Sequence, residues 1–219
     1  MAPIYVFLLV FGIFGTSETV NFDSFRAGTI PPYWTSTMTH QGKPPLWAVA
    51  PDPSAPSGRK VFAQLSNAAG RYRFPLAIYD KVVCRDGDLS AKFKLVRGRE
   101  SATAGIVWRF QDPNNYYYMH FSADQKNIGL YLMKDGRPQS IPVIAGGDPK
   151  AAEFSHEIRQ DQWYVVRVNF KGSRIKVWFG NRKLFEAEDS GIAGPGKTGL
   201  WTKADTIAYF DDFHIDKKS

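Results

Sequence analysis

The chain has 219 residues with 28 Lys and Arg against 21 Asp and Glu, which gives a formal net charge of +7. The basic residues are scattered, and no zinc-finger, helix-turn-helix or RNA-binding aromatic motif accompanies them, so the sequence argues against a nucleic-acid-binding protein. Cys84 is the only cysteine, which excludes an internal disulfide framework.

The N-terminus carries an uncharged apolar run of eleven residues from Ile4 to Phe14. A membrane-spanning helix needs about 20 such residues, so we expect no membrane span. The run matches the apolar part of a secretory signal with cleavage after Ser17, although no Lys or Arg precedes it; a buried first strand is the alternative. We expect residues 1–17 to be a signal peptide and residues 18–219 to form a single, monomeric domain of a secreted or periplasmic bacterial protein.

Short strands with period-two alternation follow from residue 61 onward. In DLSAKFKLV, for example, Leu89 and Phe93 point one way while Ser90 and Lys92 point the other. Many short strands separated by turn residues, without helical periodicity, predict an all-β sandwich or jelly roll. The predicted strands are Val61–Leu65, Leu76–Val83, Asp88–Val96, Ala104–Phe110, Tyr116–Phe121, Asn127–Met133, Trp163–Phe170, Ser173–Phe179, Lys183–Ala187, Lys197–Thr202 and Thr206–Ile215.

The segment from Gly28 to Gly58 differs, because it holds seven of the fourteen prolines. Proline lacks the N–H that a central strand needs. We therefore expect an ordered loop region that wraps the sandwich.

The stretch GIVWRFQDPNNYYYMHF, residues 105–121, predicts a hairpin whose register decides which aromatic residues are buried. Pairing Arg109 with Tyr116 gathers the apolar residues on one face, whereas pairing Arg109 with Tyr117 mixes the faces, so we favour the first register. The core face would then hold Ile106, Trp108, Phe110, Tyr117, Met119 and Phe121. The other, accessible face would hold Val107, Arg109, Tyr116, Tyr118 and His120.

Such an accessible face suits a sugar, since small-ligand sites place a few polar groups on an apolar floor. In GLWTKAD, Leu200 is the natural core residue, which puts Trp201 and Lys203 on the ligand side. A covering loop, with the tyrosines bonded to backbone groups, is the alternative. The predicted ligand-binding residues are Arg109, Tyr116, Tyr118, His120, Trp201 and Lys203.

Two segments, GIVWRFQDPNNYYYMHF and GKTGLWTKADTIAYFDDFHI, resemble secreted bacterial proteins of the concanavalin A-like lectin/glucanase superfamily. The most similar group is the 3-keto-disaccharide hydrolase-like family, and the resemblance runs from Phe22 to Ile215. It implies a jelly-roll sandwich of two curved antiparallel sheets, a ligand site on the concave face and a role in glycan use. It also extends to laminin-G-like modules.

The glucanases of this superfamily carry an E-x-D-x-(x)-E strand that is missing here; Glu186 and Glu188 are the nearest approach. Retaining hydrolysis needs two carboxyl groups about 5 Å apart, and no pair in the sequence is obliged to meet that distance. Classical glucanase activity is therefore not expected.

The resemblance also implies a structural calcium ion, because related jelly rolls often bind one between the last strand and the N-terminal region. Asp23, Asp211 and Asp212 are the candidate ligands here. Calcium takes roughly six to eight oxygen ligands, so these carboxylates are only part of a site. A solvated strand end or a salt bridge explains the same residues, and no other cofactor is expected.

Three functions remain open from the sequence. The first is a carbohydrate-binding module. The second is a glycoside-cleaving enzyme of the 3-keto-disaccharide hydrolase type, in which His120 would act as the general base and Arg109 would steady the enolate. The third is an adhesive module that binds a protein or an anionic glycan through its basic surface.

Overall fold

A computed structural model describes residues 16–146 and 153–218. Strands and turns account for these residues; they contain no helix, and so none that could cross a bilayer. The predicted signal peptide lies outside the described residues except for Thr16 and Ser17, and it stays a prediction.

The strands follow one another along the whole described chain. They are β1 (Ser17–Val20), β2 (Trp34–Thr39), β3 (Trp47–Pro51), β4 (Lys60–Gln64), β5 (Phe74–Cys84), β6 (Asp86–Arg97), β7 (Thr103–Asp112), β8 (Asn115–Ser122), β9 (Asn127–Lys134), β10 (Arg137–Ser140), β11 (Val143–Ala145), β12 (Glu153–Ser155), β13 (Trp163–Lys171), β14 (Arg174–Phe179), β15 (Arg182–Glu188), β16 (Gly196–Thr202) and β17 (Ile207–Lys218).

These strands form two antiparallel sheets. Sheet A has the order β11-β15-β14-β13-β6-β17-β4-β3, with β1 also paired to β17. Sheet B has the order β10-β9-β8-β7-β16-β5-β2, with β12 also paired to β9. Neighbours in both sheets are often distant in sequence, as with β6 between β13 and β17, so the chain crosses repeatedly from one sheet to the other.

The core lies between the two sheets. Sheet A contributes Phe93 and Phe210, and sheet B contributes Trp108, Met119 and Leu200, all fully buried in one cluster. Each of the eleven predicted strands overlaps a strand of the structure, so the prediction of an all-β antiparallel sandwich is confirmed.

The prediction of a loop region over residues 28–58 was wrong in part. β2 and β3 lie inside it, β2 at the edge of sheet B and β3 at the edge of sheet A. The prolines flank these strands or end them, as Pro51 ends β3, which edge strands tolerate. Trp34 and Trp47 anchor both strands in the core.

The β7–β8 hairpin has the register that the apolar pattern favours. Trp108 pairs with Tyr117 and Val107 pairs with Tyr118. Trp108 and Tyr117 consequently belong to the core between the sheets, whereas Val107 and Tyr118 belong to a second cluster on the outer face of sheet B.

A β-bulge ends this regular pairing beyond Trp108. Arg109 takes a left-handed backbone conformation with φ of 48°. The extra residue shifts the alternation, so Phe110 packs with the outer cluster and Arg109 turns to the core side. The sequence predicted the opposite placement for both residues, because strict period two cannot anticipate a bulge.

We expect Trp108→Ala to lower the free energy of unfolding by about 3 to 5 kcal/mol, because it leaves a cavity in the core. The Trp108 ring is fully buried and stacks with Tyr117 at 5.7 Å and with Phe170 at 6.1 Å between centroids. Urea unfolding measures the change. The control Trp178→Ala removes a half-buried ring beneath Arg167 and should cost much less; equal losses would contradict the assigned core.

Candidate functional site

A groove of about 220 Å³ crosses the outer face of sheet B. Its floor comes from β5, β8, β9 and β16, and its rim comes from the loops at one end of those strands. The residues that line it are Arg71, Tyr72, Phe74, Tyr118, His120, Gln125, Tyr131, Pro138, Trp201 and Lys203. We call it the Trp201 groove.

A row of stacked rings forms the floor of the groove. Trp201 lies between Phe74 and Tyr118, with centroids 5.4 and 4.9 Å away, and Tyr118 stacks on Tyr131 at 5.2 Å. The rings cover one another's faces, which leaves Trp201 only 1% and Tyr118 only 4% exposed. The floor is rigid and apolar, and a ligand would meet the uncovered parts of the rings.

This packing corrects the prediction that these aromatic residues are exposed. Trp201, Tyr118 and His120 do line the groove, but as its nearly buried floor. Tyr116 is fully buried, and its hydroxyl is 2.7 Å from the Thr39 hydroxyl. Burial raises the pKa of the Tyr116 phenol. The ligand-binding role of the floor residues stays a prediction.

His120 is held in the floor by its neighbours on β9. Its Nε2 lies 3.3 Å from Asn127 Oδ1, and its ring is 5.0 Å from that of Tyr131. Gly129 pairs directly with His120, and a Cβ at Gly129 would come within 2.5 Å of the Tyr131 ring and 3.0 Å of His120 Nε2. The glycine is therefore what lets both rings lie over β9.

The exposed part of the groove is its rim. Tyr72 is 64% exposed, Arg71 and Gln125 are exposed, and Lys203 is half-buried. The sequence identified only Lys203 among these, because it directly follows the alternating pattern of β16, whereas the other three lie in turns, where periodicity carries no information. Turn residues around Arg71 gave no signal of a ligand site.

Arg73, which the sequence also missed, joins the loops behind the rim. Its buried guanidinium donates to the carbonyl oxygens of Lys43 at 2.7 Å, Ala204 at 2.7 Å and Pro44 at 3.1 Å. It also donates to Ser66 Oγ at 3.2 Å. Burial lowers the pKa of Arg73 from its ordinary value. Because carbonyl dipoles replace the water of this buried charge, the surrounding loops are held in one arrangement.

His40 contacts the same loop from another side. Its Nδ1 lies 2.6 Å from the Tyr72 carbonyl oxygen and its Nε2 lies 2.7 Å from the Gly136 carbonyl oxygen. The two ring nitrogens therefore lie between the backbone of exposed Tyr72 and the β9–β10 turn.

The structure separates Arg109 from the groove. Its guanidinium donates to the carbonyl oxygens of Gly172 at 2.6 Å, Arg85 at 2.8 Å and Ile192 at 2.9 Å, and it lies over the Phe170 ring. Its side chain is thus on the core side of sheet B. The predicted placement beside His120 was wrong, because the bulge reverses the direction of the side chain.

The candidate calcium ligands form hydrogen bonds or ion pairs with other residues of the protein. Asp23 Oδ1 accepts from the backbone N–H groups of Arg59 at 2.6 Å and Lys60 at 3.1 Å. Asp211 accepts from Ser57 N at 2.9 Å, and burial raises the pKa of Asp211. N–H groups that point at a carboxylate do not suit a cation site.

Asp212, the third candidate, pairs with Lys92 at 2.7 Å. Within residues 16–146 and 153–218, no cluster of three His, Cys, Asp or Glu side chains could hold a metal ion. The residues present therefore do not fit a calcium ion in this arrangement, and calcium stays a prediction from the resemblance alone.

Glu186 and Glu188, the nearest match to a glucanase carboxylate pair, both form ion pairs with basic residues. Glu186 pairs with Lys183 at 2.6 Å, and Glu188 pairs with Arg174 at 3.3 Å. The hydrogen bond from Lys183 holds the pKa of Glu186 below its ordinary value. A proton-donating carboxyl group needs the opposite shift.

Two further cavities continue the Trp201 groove along the same end of the sandwich. One of about 450 Å³ shares Arg71, Gln125 and Lys203 with the groove. The next, of about 530 Å³, shares Glu100 with that cavity. We call the groove and these two neighbouring cavities the trench; the aromatic side chains of its lining lie in the groove.

The two antiparallel sheets form a jelly-roll sandwich of the concanavalin A-like kind. No family model matches the chain, and a search of curated proteins gives no match. Among solved structures, the chain resembles the carbohydrate binding module CBM66 from Bacillus subtilis, with a TM-score of 0.61 and 18% identity over 84% of this chain and 96% of that one.

Two other solved structures share the fold. One is a protein of unknown function with a galectin-like fold from Bacillus subtilis, with a TM-score of 0.55 and 9% identity over 91% of this chain and 98% of that one. The other is the GH43 protein BlXynB from Bacillus licheniformis, with a TM-score of 0.55 and 11% identity over 91% of this chain but only 39% of that one.

We expect Asp124→Asn to destabilise the fold at neutral pH by less than about 1 kcal/mol, because solvent screens this exposed residue, and to have little effect in acid. Burial raises the pKa of Asp124, but hydrogen bonds from Ala102 N and from the hydroxyls of Ser122 and Thr103 outweigh it and hold this pKa below its ordinary value. The carboxylate therefore stabilises the fold above about pH 4, and this contribution disappears as pH falls through the lowered pKa.

Thermal unfolding across pH measures this contribution. Glu157→Gln is the control, because Glu157 is exposed and pairs with the exposed side chain of Arg159. A difference between wild type and Asp124→Asn that does not shrink in acid would contradict the assigned role of the Asp124 carboxylate.

Proposed function

We propose that this protein binds carbohydrate in the Trp201 groove. The observation that carries the proposal is an apolar floor of stacked rings beneath a rim of long polar side chains. Aromatic surface suits the C–H faces of a sugar ring, and the rim groups of Arg71, Gln125 and Lys203 suit its hydroxyls. The trench beyond the groove leaves room for further sugar units of an oligosaccharide.

The rigidity of the site also favours binding. Arg73 and His40 join the loop of Arg71 and Tyr72 to neighbouring loops through backbone carbonyl oxygens, so a ligand would meet a preformed rim. Preorganised walls reduce the entropic cost of association. The likeness of the fold to a carbohydrate binding module supports the same proposal.

Cleavage of 3-keto-glycosides is the alternative that the sequence left open. It would use His120, which lines the groove, as a base. Its second group, Arg109, lies on the core side of sheet B, so the two side chains do not form one site. Binding without cleavage is therefore the function that the geometry supports better.

Tyr72→Ala should weaken oligosaccharide binding about tenfold or more, because Tyr72 is the most exposed ring at the groove. Binding is measured by calorimetry with the oligosaccharides that the wild type retains from a pool of neutral and acidic glycans. Tyr33→Ala is the matched control, since Tyr33 is 62% exposed against 64% for Tyr72 but lines a different cavity. Equal losses in both variants would contradict the assigned groove.

The same incubations, supplemented with 3-keto-glycosides, test for cleavage by mass spectrometry. We expect retained ligand and no released sugar. If the wild type releases sugar and His120→Ala does not, the enzymatic alternative is correct and the binding proposal is wrong.

A further inference from the structure

We propose that the ligand of the Trp201 groove is an anionic sugar residue, whose carboxylate or sulfate group binds between Arg71 and Lys203. This inference rests on the proposed carbohydrate-binding function and assigns its ligand class. It differs from attraction to the basic surface as a whole, because it places the anion at one pair of side chains.

The charged side chains that line the groove are basic. Arg71 and Lys203 both line the groove, whereas no Asp or Glu does. Neither cation forms an ion pair with any other described residue. Glu100 and Asp124 line the adjoining cavity but form no ion pair with either cation, so the two positive charges in the groove favour an anion there.

The two cations lie on loops that are fastened together. Ala204 N donates to the Arg73 carbonyl oxygen at 2.7 Å, and the Arg73 guanidinium donates back to the Ala204 carbonyl oxygen at 2.7 Å. Arg71 is two residues from one end of this link and Lys203 is adjacent to the other. The backbone therefore holds both cations at the same stretch of rim, where the groove meets the next cavity.

The carboxylates of the adjoining cavities accept hydrogen bonds from backbone N–H groups. Asp205 accepts from the N–H groups of Arg99 at 2.8 Å and Glu100 at 3.0 Å. Asp124 Oδ1 accepts from Ala102 N at 3.0 Å, and Glu100 accepts from Gly70 N at 2.9 Å. These bonds hold the acidic groups to the loops that carry them, rather than to Arg71 or Lys203.

An anionic sugar would contact both parts of this site, the aromatic floor and the basic rim. Its ring would lie over the floor near Tyr72 and Tyr131, and its acidic substituent would reach the rim. A guanidinium can donate two parallel hydrogen bonds to a carboxylate or sulfate, and an ammonium adds a point charge. A neutral sugar would leave the paired cations without a counterion.

The test uses two matched pairs of probes with the full chain. The first pair is a galacturonic acid trisaccharide and its methyl ester, which keeps the sugar rings and removes the negative charge. The second is a sulfated galactose oligosaccharide and its desulfated form. We expect the charged member of at least one pair to bind about five to ten times more tightly than its neutral partner, with a preference that weakens as salt rises. Comparison of the pairs identifies the carboxylate or the sulfate.

Arg71→Gln and Lys203→Gln should each reduce this preference severalfold, because the charged probes lose more affinity than their neutral partners do. Arg26→Gln and Lys134→Gln make the same changes in net charge at exposed positions outside the groove, and both should keep the preference. Loss of the preference in these controls would assign it to the overall surface charge and overturn the inference.

Other outcomes separate the inference from the proposed function. Equal binding of charged and neutral probes, lost in Tyr72→Ala, would overturn the anionic ligand while supporting carbohydrate binding in the groove. Failure of all four probes to bind, when a different neutral glycan binds, would do the same. Binding of no glycan at all would contradict both.

Discussion

The register of the β7–β8 hairpin is the constraint on which the two faces of sheet B depend. Because Trp108 pairs with Tyr117, both side chains point into the core. The next pair, Val107 with Tyr118, faces outward. Because side chains alternate with a period of two, a slip of one residue would exchange the two sets. The floor of the Trp201 groove thus follows directly from how the core is packed.

The rim depends on a second kind of interaction, in which nitrogen atoms of side chains contact backbone carbonyl oxygens of the loops. Arg73 is buried and bonds three loops at once, and His40 joins Tyr72 to the β9–β10 turn. Burying a charge is costly unless its hydrogen bonds are replaced, so alternative loop arrangements are disfavoured. The exposed side chains that would contact a ligand therefore lie on loops whose backbone is held in place.

The sequence predicts the fold and the floor of the site better than its rim. Period-two alternation locates the strands and puts Tyr118, His120 and Trp201 on one face. It cannot show that neighbouring rings cover them, since Phe74 comes from a strand distant in sequence. It also misplaces Arg109, because a bulge breaks the alternation locally. The rim residues Arg71 and Gln125 belong to turns, and tertiary hydrogen bonds such as those of Arg73 and Asp124 fasten these turns to neighbouring loops.

The central claim is that carbohydrate binds over the stacked rings of sheet B. Backbone amide chemical shifts, followed by NMR while a retained oligosaccharide is added, test it most directly. The account predicts saturable shifts concentrated at residues 71–74, 118–125, 131 and 201–204, with sheet A largely unchanged. Shifts confined to the outer face of sheet A, around Arg167 and Trp178, would contradict the claim and move the ligand to the other side of the sandwich.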